Sequence, residues 1–203
     1  MYQAELASAQ AARNGTLSMT TGLSQVQMDF SPGVGVWSVG EILDHLLLTD
    51  QIYRHEIAQL IDLARTGRRP FVSRTLVDFN ISPAFIPRPL LPFSELPFRM
   101  FNLFMPRPVR EFMFRYRLVP ARNADIANPR KGRNISDLRG ELESSIKQTT
   151  ELLNANPGLN YRKLVFDHPL LGANNVLELL RILAAHELRH QDQIREILQQ
   201  VRH

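Results

Sequence analysis

The sequence predicts an all-α protein, a four-helix bundle carrying one long insertion. Four stretches combine helical periodicity with start or stop signals, and no strand pattern of comparable length competes with them. With 44% apolar residues in a chain of 203, there is enough hydrophobic material to fill a core.

The first helix is expected over residues 2–28, a run of good helix formers weakened by Gly15 and Gly22. The second opens at "WSVGEILDHLLLTDQIYRHEIAQLIDLAR", where Ser38 and Glu41 have the spacing of a capping box, Trp37 is placed as a hydrophobic staple, and Gly67 closes the run. A third helix follows Asn134, runs through "LRGELESSIKQTTELLNAN", and ends at Asn156-Pro157-Gly158. The fourth starts after Gly172-Ala173-Asn174-Asn175, with Asn175 and Glu178 at cap spacing, and continues close to the C-terminus.

Ordinary bundle connections run to ~2–8 residues, so the link between the second and third helices is unusual. A link of that length can cross the bundle and leave its flanking helices parallel. Residues 67–133 hold 13 Lys/Arg against 4 Asp/Glu, while the remainder holds 11 against 16, so the net charge of +4 comes from this segment. It also carries 10 of the 13 prolines and 9 of the 11 phenylalanines, which marks it as a compositionally distinct insertion. Short helices interrupted by Pro97, Pro106 and Pro108 are expected there. The Phe content favours a packed cover with a solvated basic face over a nucleic-acid surface. The expectation is one domain over residues 1–203, with 67–133 packed on it.

Cysteine is absent, which excludes disulfides, thiolate metal sites and cysteine nucleophiles. No apolar run reaches the ~18 residues of a membrane span, and no basic start precedes an apolar segment, so the cytoplasm is the expected location.

On a helical wheel of ~100° per residue, Val176, Leu179, Leu180, Leu183, Ile194, Ile197, Leu198 and Val201 form one stripe of the fourth helix. His186, His190 and Gln193 fall within it, opposite a charged face of Glu178, Arg181, Arg189, Asp192 and Glu196. His45 occupies the stripe of the second helix with Ile42, Leu46, Ile52, Leu60 and Leu63. Three imidazoles aimed inward are costly, since an unsatisfied buried polar group costs about 1–3 kcal/mol. A divalent metal removes that cost: His186 and His190, one turn apart, present adjacent nitrogens to one ion and His45 completes the face.

"HELRH" is also a zinc-protease string. Such proteases take a third ligand from further along the chain and align peptides on a strand edge. Here only 13 residues follow His190, with His203 the sole histidine among them, and no strand edge is expected. The protease reading is set aside. Glu56, 11 residues beyond His45, lies ~16 Å away along a helix and cannot share its ion. His55 is expected in solvent and His168 as a loop-packing residue.

"WSVGEILDHL" and "HPLLGANNVLELLRILAAHELRHQDQI" resemble the second-helix signature and last helix of the DinB/YfiT-like superfamily, in which H-P-x-x-G precedes H-x-x-x-H and a nearby Gln. The resemblance implies an up-down-down-up four-helix bundle and a three-histidine metal site matching His45, His186 and His190. It also implies a tendency to homodimers and, in some members, metal-dependent transfer or isomerisation with a low-molecular-weight thiol. The insertion is longer than the connection usual in that family.

A divalent metal is therefore the expected cofactor, zinc or nickel ahead of manganese or iron, with a low-molecular-weight thiol as a second candidate and a small molecule as substrate. Three neutral imidazoles leave the ion's charge intact, so a bound water would fall toward pKa ~7 and a bound thiol would ionise. Glu187 is a candidate general base, though a salt bridge to a neighbouring helix is the favoured reading of it, and Gln193 is expected to orient a ligand or water. A non-catalytic binding module, using the metal or the basic surface to hold nucleic acid, lipid or protein, is the second function class.

Overall fold

A computed structural model describes residues 2–79 and 127–201, with isolated positions at 100, 106 and 109. The elements are α1 (Gln3–Met19), α2 (Gln25–Asp29), α3 (Val39–Arg65), β1 (Phe71–Ser73), α4 (Leu76–Phe79), α5 (Ile135–Asn154), β2 (Val165–His168), β3 (Gly172–Asn175) and α6 (Val176–Val201). The protein is all-α in class, built on four long helices, as the periodicity predicts. The short helices expected around Pro97, Pro106 and Pro108, most of the insertion, and His203 lie outside the described residues.

Local signals set the starts of α3, α5 and α6. Ser38 Oγ accepts from the Glu41 amide at 3.2 Å, and the Ser38 amide donates to Glu41 Oε2 at 2.9 Å, which closes the capping box of α3. Asn134 Oδ1 accepts from the amides of Ser136 and Asp137 to start α5. Asn175 does the same for α6 through Leu177 and Glu178, while Glu178 reaches back to the Asn175 amide at 2.8 Å. Each device satisfies donors that a helix start leaves open.

The expected first helix is two helices. Gly22 takes φ 78°, a left-handed conformation that ends helical geometry, and Ser24 with Gln27 forms a fresh capping box for α2. Gly15 has a different reason to be glycine: a Cβ there would meet Gln191 Nε2 at 2.9 Å. That amide nitrogen donates to the Ala12 carbonyl at 2.6 Å, so a larger residue at position 15 would have to displace the amide that ties α6 to the backbone of α1.

The described chain gathers into two compact units. The first comprises Met1–Tyr53, Pro129–Ala155 and Leu180–His203. Its core is formed by Leu17 of α1, Met28 of α2, Val39, Ile42, Leu43, Leu46 and Leu47 of α3, Leu138 and Leu142 of α5, and Ile194 and Ile197 of α6. These positions recur at three- and four-residue spacing, so each helix turns one apolar stripe inward. A smaller patch of Ala9, Ala12 and Ala184 packs with Ile146.

The second unit comprises Arg54–Asn128 and Asn156–Leu179. It contains a small sheet that was not expected from the sequence. β1 runs parallel to β2 with Val72 opposite Phe166, and β2 runs antiparallel to β3 with His168 opposite Gly172. Strands of three or four residues carry too little alternation to register against helical signals, and β1 and β2 are brought together only by tertiary structure. The "GANN" stretch that precedes the last helix is β3, and its Asn175 serves also as the cap of α6. Among the described residues no helix is long and apolar enough to cross a membrane.

Candidate metal centre

α3 and α6 bring His45, His186 and His190 together within the first unit. His45 sits in the second turn of α3, between core residues Leu43 and Leu46, and its ring is buried. His186 and His190 are one turn apart on α6, with His190 buried and His186 half-buried. The Nε2 atoms of His45 and His186 are 3.3 Å apart, and those of His186 and His190 are 3.1 Å apart. All three candidate ligand atoms lie within 4.8 Å of one another.

That separation fits the donor set of one cation. Imidazole nitrogens ~2.0–2.1 Å from a common ion, at tetrahedral or octahedral angles, stand ~2.8–3.4 Å from each other. A neutral imidazole carries a single N–H, and three ring nitrogens facing one another cannot all be satisfied by mutual hydrogen bonds. His186 is held well below the ordinary histidine range by burial, and then by the neighbouring His190, His45 and Arg189.

Trp37 is more than an entry staple. It packs against the core cluster that contains Ile42, but its ring also lies 4.9 Å from that of His45 and stacks at 6.4 Å and 21° on that of His190. The half-buried indole thus lies beside two of the three rings.

Glu187 is buried and taken up by α1. Arg13 Nε donates to Oε1 and Arg13 Nη2 to Oε2, both at 2.8 Å, which is the salt-bridge alternative weighed in the sequence. The same guanidinium donates to Asp50 Oδ2 and to the Leu142 carbonyl, each at 2.8 Å. Burial raises the Asp50 carboxyl above its usual range, with Arg13 opposing and the charge of Glu187 adding to the rise. Gln193 is half-buried, and its Oε1 is enclosed without a hydrogen-bond partner. That leaves it an unused acceptor.

Sequence reasoning passed over three of these groups. Arg13 is 2% exposed, a cation inside the bundle. Its signal was its register, since Leu6, Ala9 and Arg13 follow three- and four-residue steps along one buried stripe of α1. Asp44, beside His45, is fully buried and accepts from Arg130 through its amide at 2.7 Å and its Nη2 at 2.8 Å, and from Arg133 Nη1 at 2.9 Å. Two arginines at the end of the basic insertion are therefore bound to α3. Arg189, assigned by the wheel to the outer face of α6, brings Nη2 to 3.3 Å from His190 Nε2. A long flexible side chain can reach around a helix, which a wheel of Cα positions does not represent.

Among the described residues the two other histidines, His55 and His168, belong to the second unit. His55 is exposed and meets Gln59 at 3.0 Å. His168 is a packing residue, with Nδ1 accepting from the amides of Leu170 and Leu171 at 3.1 and 3.2 Å and its ring edge-on to Phe166. Burial pushes it down to about 3. Glu56 is held by Arg74 at 2.9 and 3.1 Å.

Comparison with curated proteins and with solved structures finds no match to this chain. The sequence model of the DinB superfamily matches residues 9–194, a span that includes all three clustered histidines. The chain belongs to the DinB superfamily.

Proposed function

We propose that this protein is a metal-dependent enzyme acting on a small molecule, with one divalent cation held by His45, His186 and His190. The observation that carries the reading is the convergence of three Nε2 atoms from two helices, at 3.1 and 3.3 Å, in a largely buried setting. Zinc or nickel suits a set of three imidazoles best, with manganese and iron next. When bound, such a cation keeps its charge against neutral ligands and acidifies a water or a low-molecular-weight thiol, which supports hydrolysis or thiol transfer.

The remaining residues serve that centre. Trp37 flanks two of the three rings, and Arg13 holds the turn of α6 that carries His186 by gripping Glu187. Asp44, clamped by Arg130 and Arg133, does the same for the turn of α3 that carries His45. Gln193 supplies an acceptor for a water or ligand. We place the protein in the cytoplasm and read it as a homodimer.

Elemental analysis of freshly purified full-length protein tests the centre. The expected result is one equivalent of a first-row divalent metal, lost in His186→Ala and in His45→Ala while circular dichroism stays helical. Metal-free protein that also fails to bind added Zn²⁺, Ni²⁺ or Co²⁺ would end the metalloenzyme reading. Turnover of an electrophile with a panel of low-molecular-weight thiols then separates transfer from hydrolysis.

A further inference from the structure

One polar side chain from each long helix lines a small cavity inside the first unit: Arg13 of α1, Asp50 of α3, Thr149 of α5 and Glu187 of α6. The cavity measures about 10 Å³, and apolar side chains such as Ala9 complete its wall. Space of ~10–15 Å³ holds one water molecule where ~2–4 polar partners surround it. All four polar residues are buried, so their hydrogen bonds have to be met inside the fold.

A guanidinium carries five N–H groups, and the bonds of Arg13 use four of them. Nε donates to Glu187 Oε1, Nη2 to Glu187 Oε2 and Asp50 Oδ2, and Nη1 to the Leu142 carbonyl. The second N–H of Nη1 has no partner among the described residues, on a side chain only 2% exposed. A buried donor left unmet bears the full cost of its desolvation. Unused acceptors belong to the same cavity wall: Thr149 gives its one hydroxyl proton to the Ser145 carbonyl at 3.2 Å and keeps its lone pairs, and each oxygen of Glu187 receives a single bond. The guanidinium charge and an N–H without a lone pair disfavour a cation there, and the two carboxylates disfavour an anion. A neutral molecule that both accepts and donates fits, and at this volume that molecule is water.

We propose that the cavity among Arg13, Asp50, Thr149 and Glu187 is a binding site for one ordered water molecule, which accepts from Arg13 Nη1 and donates to Thr149 Oγ1 and to a carboxylate oxygen. The water joins all four long helices through a single hub. On α6 that hub includes the residue directly after His186, so the water braces the turn that carries this histidine. The site requires no metal ion and is independent of the metal reading above.

Crystals of the full-length protein that diffract well enough to show ordered water test the site, together with oxygen magnetic relaxation dispersion, which counts long-lived internal waters in solution. The wild type should show one peak within hydrogen-bond distance of Arg13 and Thr149. Ala9→Val, whose added methyl groups fill the cavity, should lose that peak and one long-lived water. Thr149→Val removes an acceptor at nearly constant volume and should lose the water as well. A wild-type cavity without density, density for an ion in its place, the same count of long-lived waters in wild type and Ala9→Val, or a water retained by Thr149→Val would each overturn the proposal. If neither variant folds, the wild-type density decides alone.

Discussion

Arg13 grips Glu187 fork to fork inside the bundle, with Nε and Nη2 each 2.8 Å from a different carboxylate oxygen. The pair joins the middle of α1 to the residue directly after His186. Asp50 shares the guanidinium and is also bonded by Ser145, so one buried cation serves two buried acids.

Removing the cation strands both acids. Arg13→Met is expected to lower stability by about 3–5 kcal/mol at neutral pH, the range for breaking a buried pair from one side, read by urea denaturation. Asp50→Asn should cost much less. Burial raises the Asp50 carboxyl, so its charged form is disfavoured in the fold; that penalty is absent below the ordinary carboxylate range and grows as pH rises through the raised value. The stability of Asp50→Asn relative to wild type should therefore improve with rising pH, and a decline would contradict the assignment.

Trp37 is the sole tryptophan of the chain and its ring lies 4.9 Å from the ring of His45, so intrinsic fluorescence reports on the centre directly. Adding Co²⁺ or Ni²⁺, whose open d shells quench excited indole at short range, should remove most of the emission. Closed-shell Zn²⁺ should not. The quenching should vanish in His190→Ala, and emission that ignores Co²⁺ in protein shown by elemental analysis to hold it would place the ion elsewhere.

His168 offers a structural contrast. Its ring is neutral in the fold, pushed down to about 3, while an unfolded histidine titrates near ~6.5. Between those values the unfolded chain takes up a proton that the folded chain refuses. The contribution of His168 to stability is therefore complete above pH ~6.5 and is lost as pH falls toward 3, by several kcal/mol in order of magnitude. Its NMR resonances should stay flat from pH 7 to 4. His168→Leu, which strands the amides of Leu170 and Leu171, should lower stability and leave metal stoichiometry unchanged.

Asp44 titrates in the opposite sense. Burial works against its charge, but hydrogen bonds from Arg130 and Arg133 outweigh it and hold the carboxyl below its usual value. Its stabilisation is present above ~pH 4 and disappears as pH falls through the lowered value. Asp44→Asn should thus cost about 2 kcal/mol at pH 7, on the scale of hydrogen bonds to a charged group, and progressively less in acid. Chemical denaturation at pH 7 and below pH 3 makes the comparison.

Much of the helical scaffold was legible along the chain because its signals are local. Ser38 with Glu41, Asn134, and Asn175 with Glu178 each satisfy helix-start amides within three residues, so a cap can be read without knowing the fold. The break at Gly22 was visible only as a weak point, since glycine permits a left-handed turn without requiring one. The three-stranded sheet was not legible, because Phe71 and Val165 pair across more than 90 intervening positions.

The histidines follow the same division. Their register on two apolar stripes was written in the sequence, because helical periodicity alone decides which side of α3 and α6 a residue occupies. Which carboxylate each arginine would take was decided by tertiary structure. Arg13, Arg130 and Arg133 all have long, flexible stems, and their partners at Glu187, Asp50 and Asp44 came into reach only when the chain folded. Periodicity is a property of neighbours in the chain, whereas the pairing of buried charges depends on distances that exist only in the folded protein.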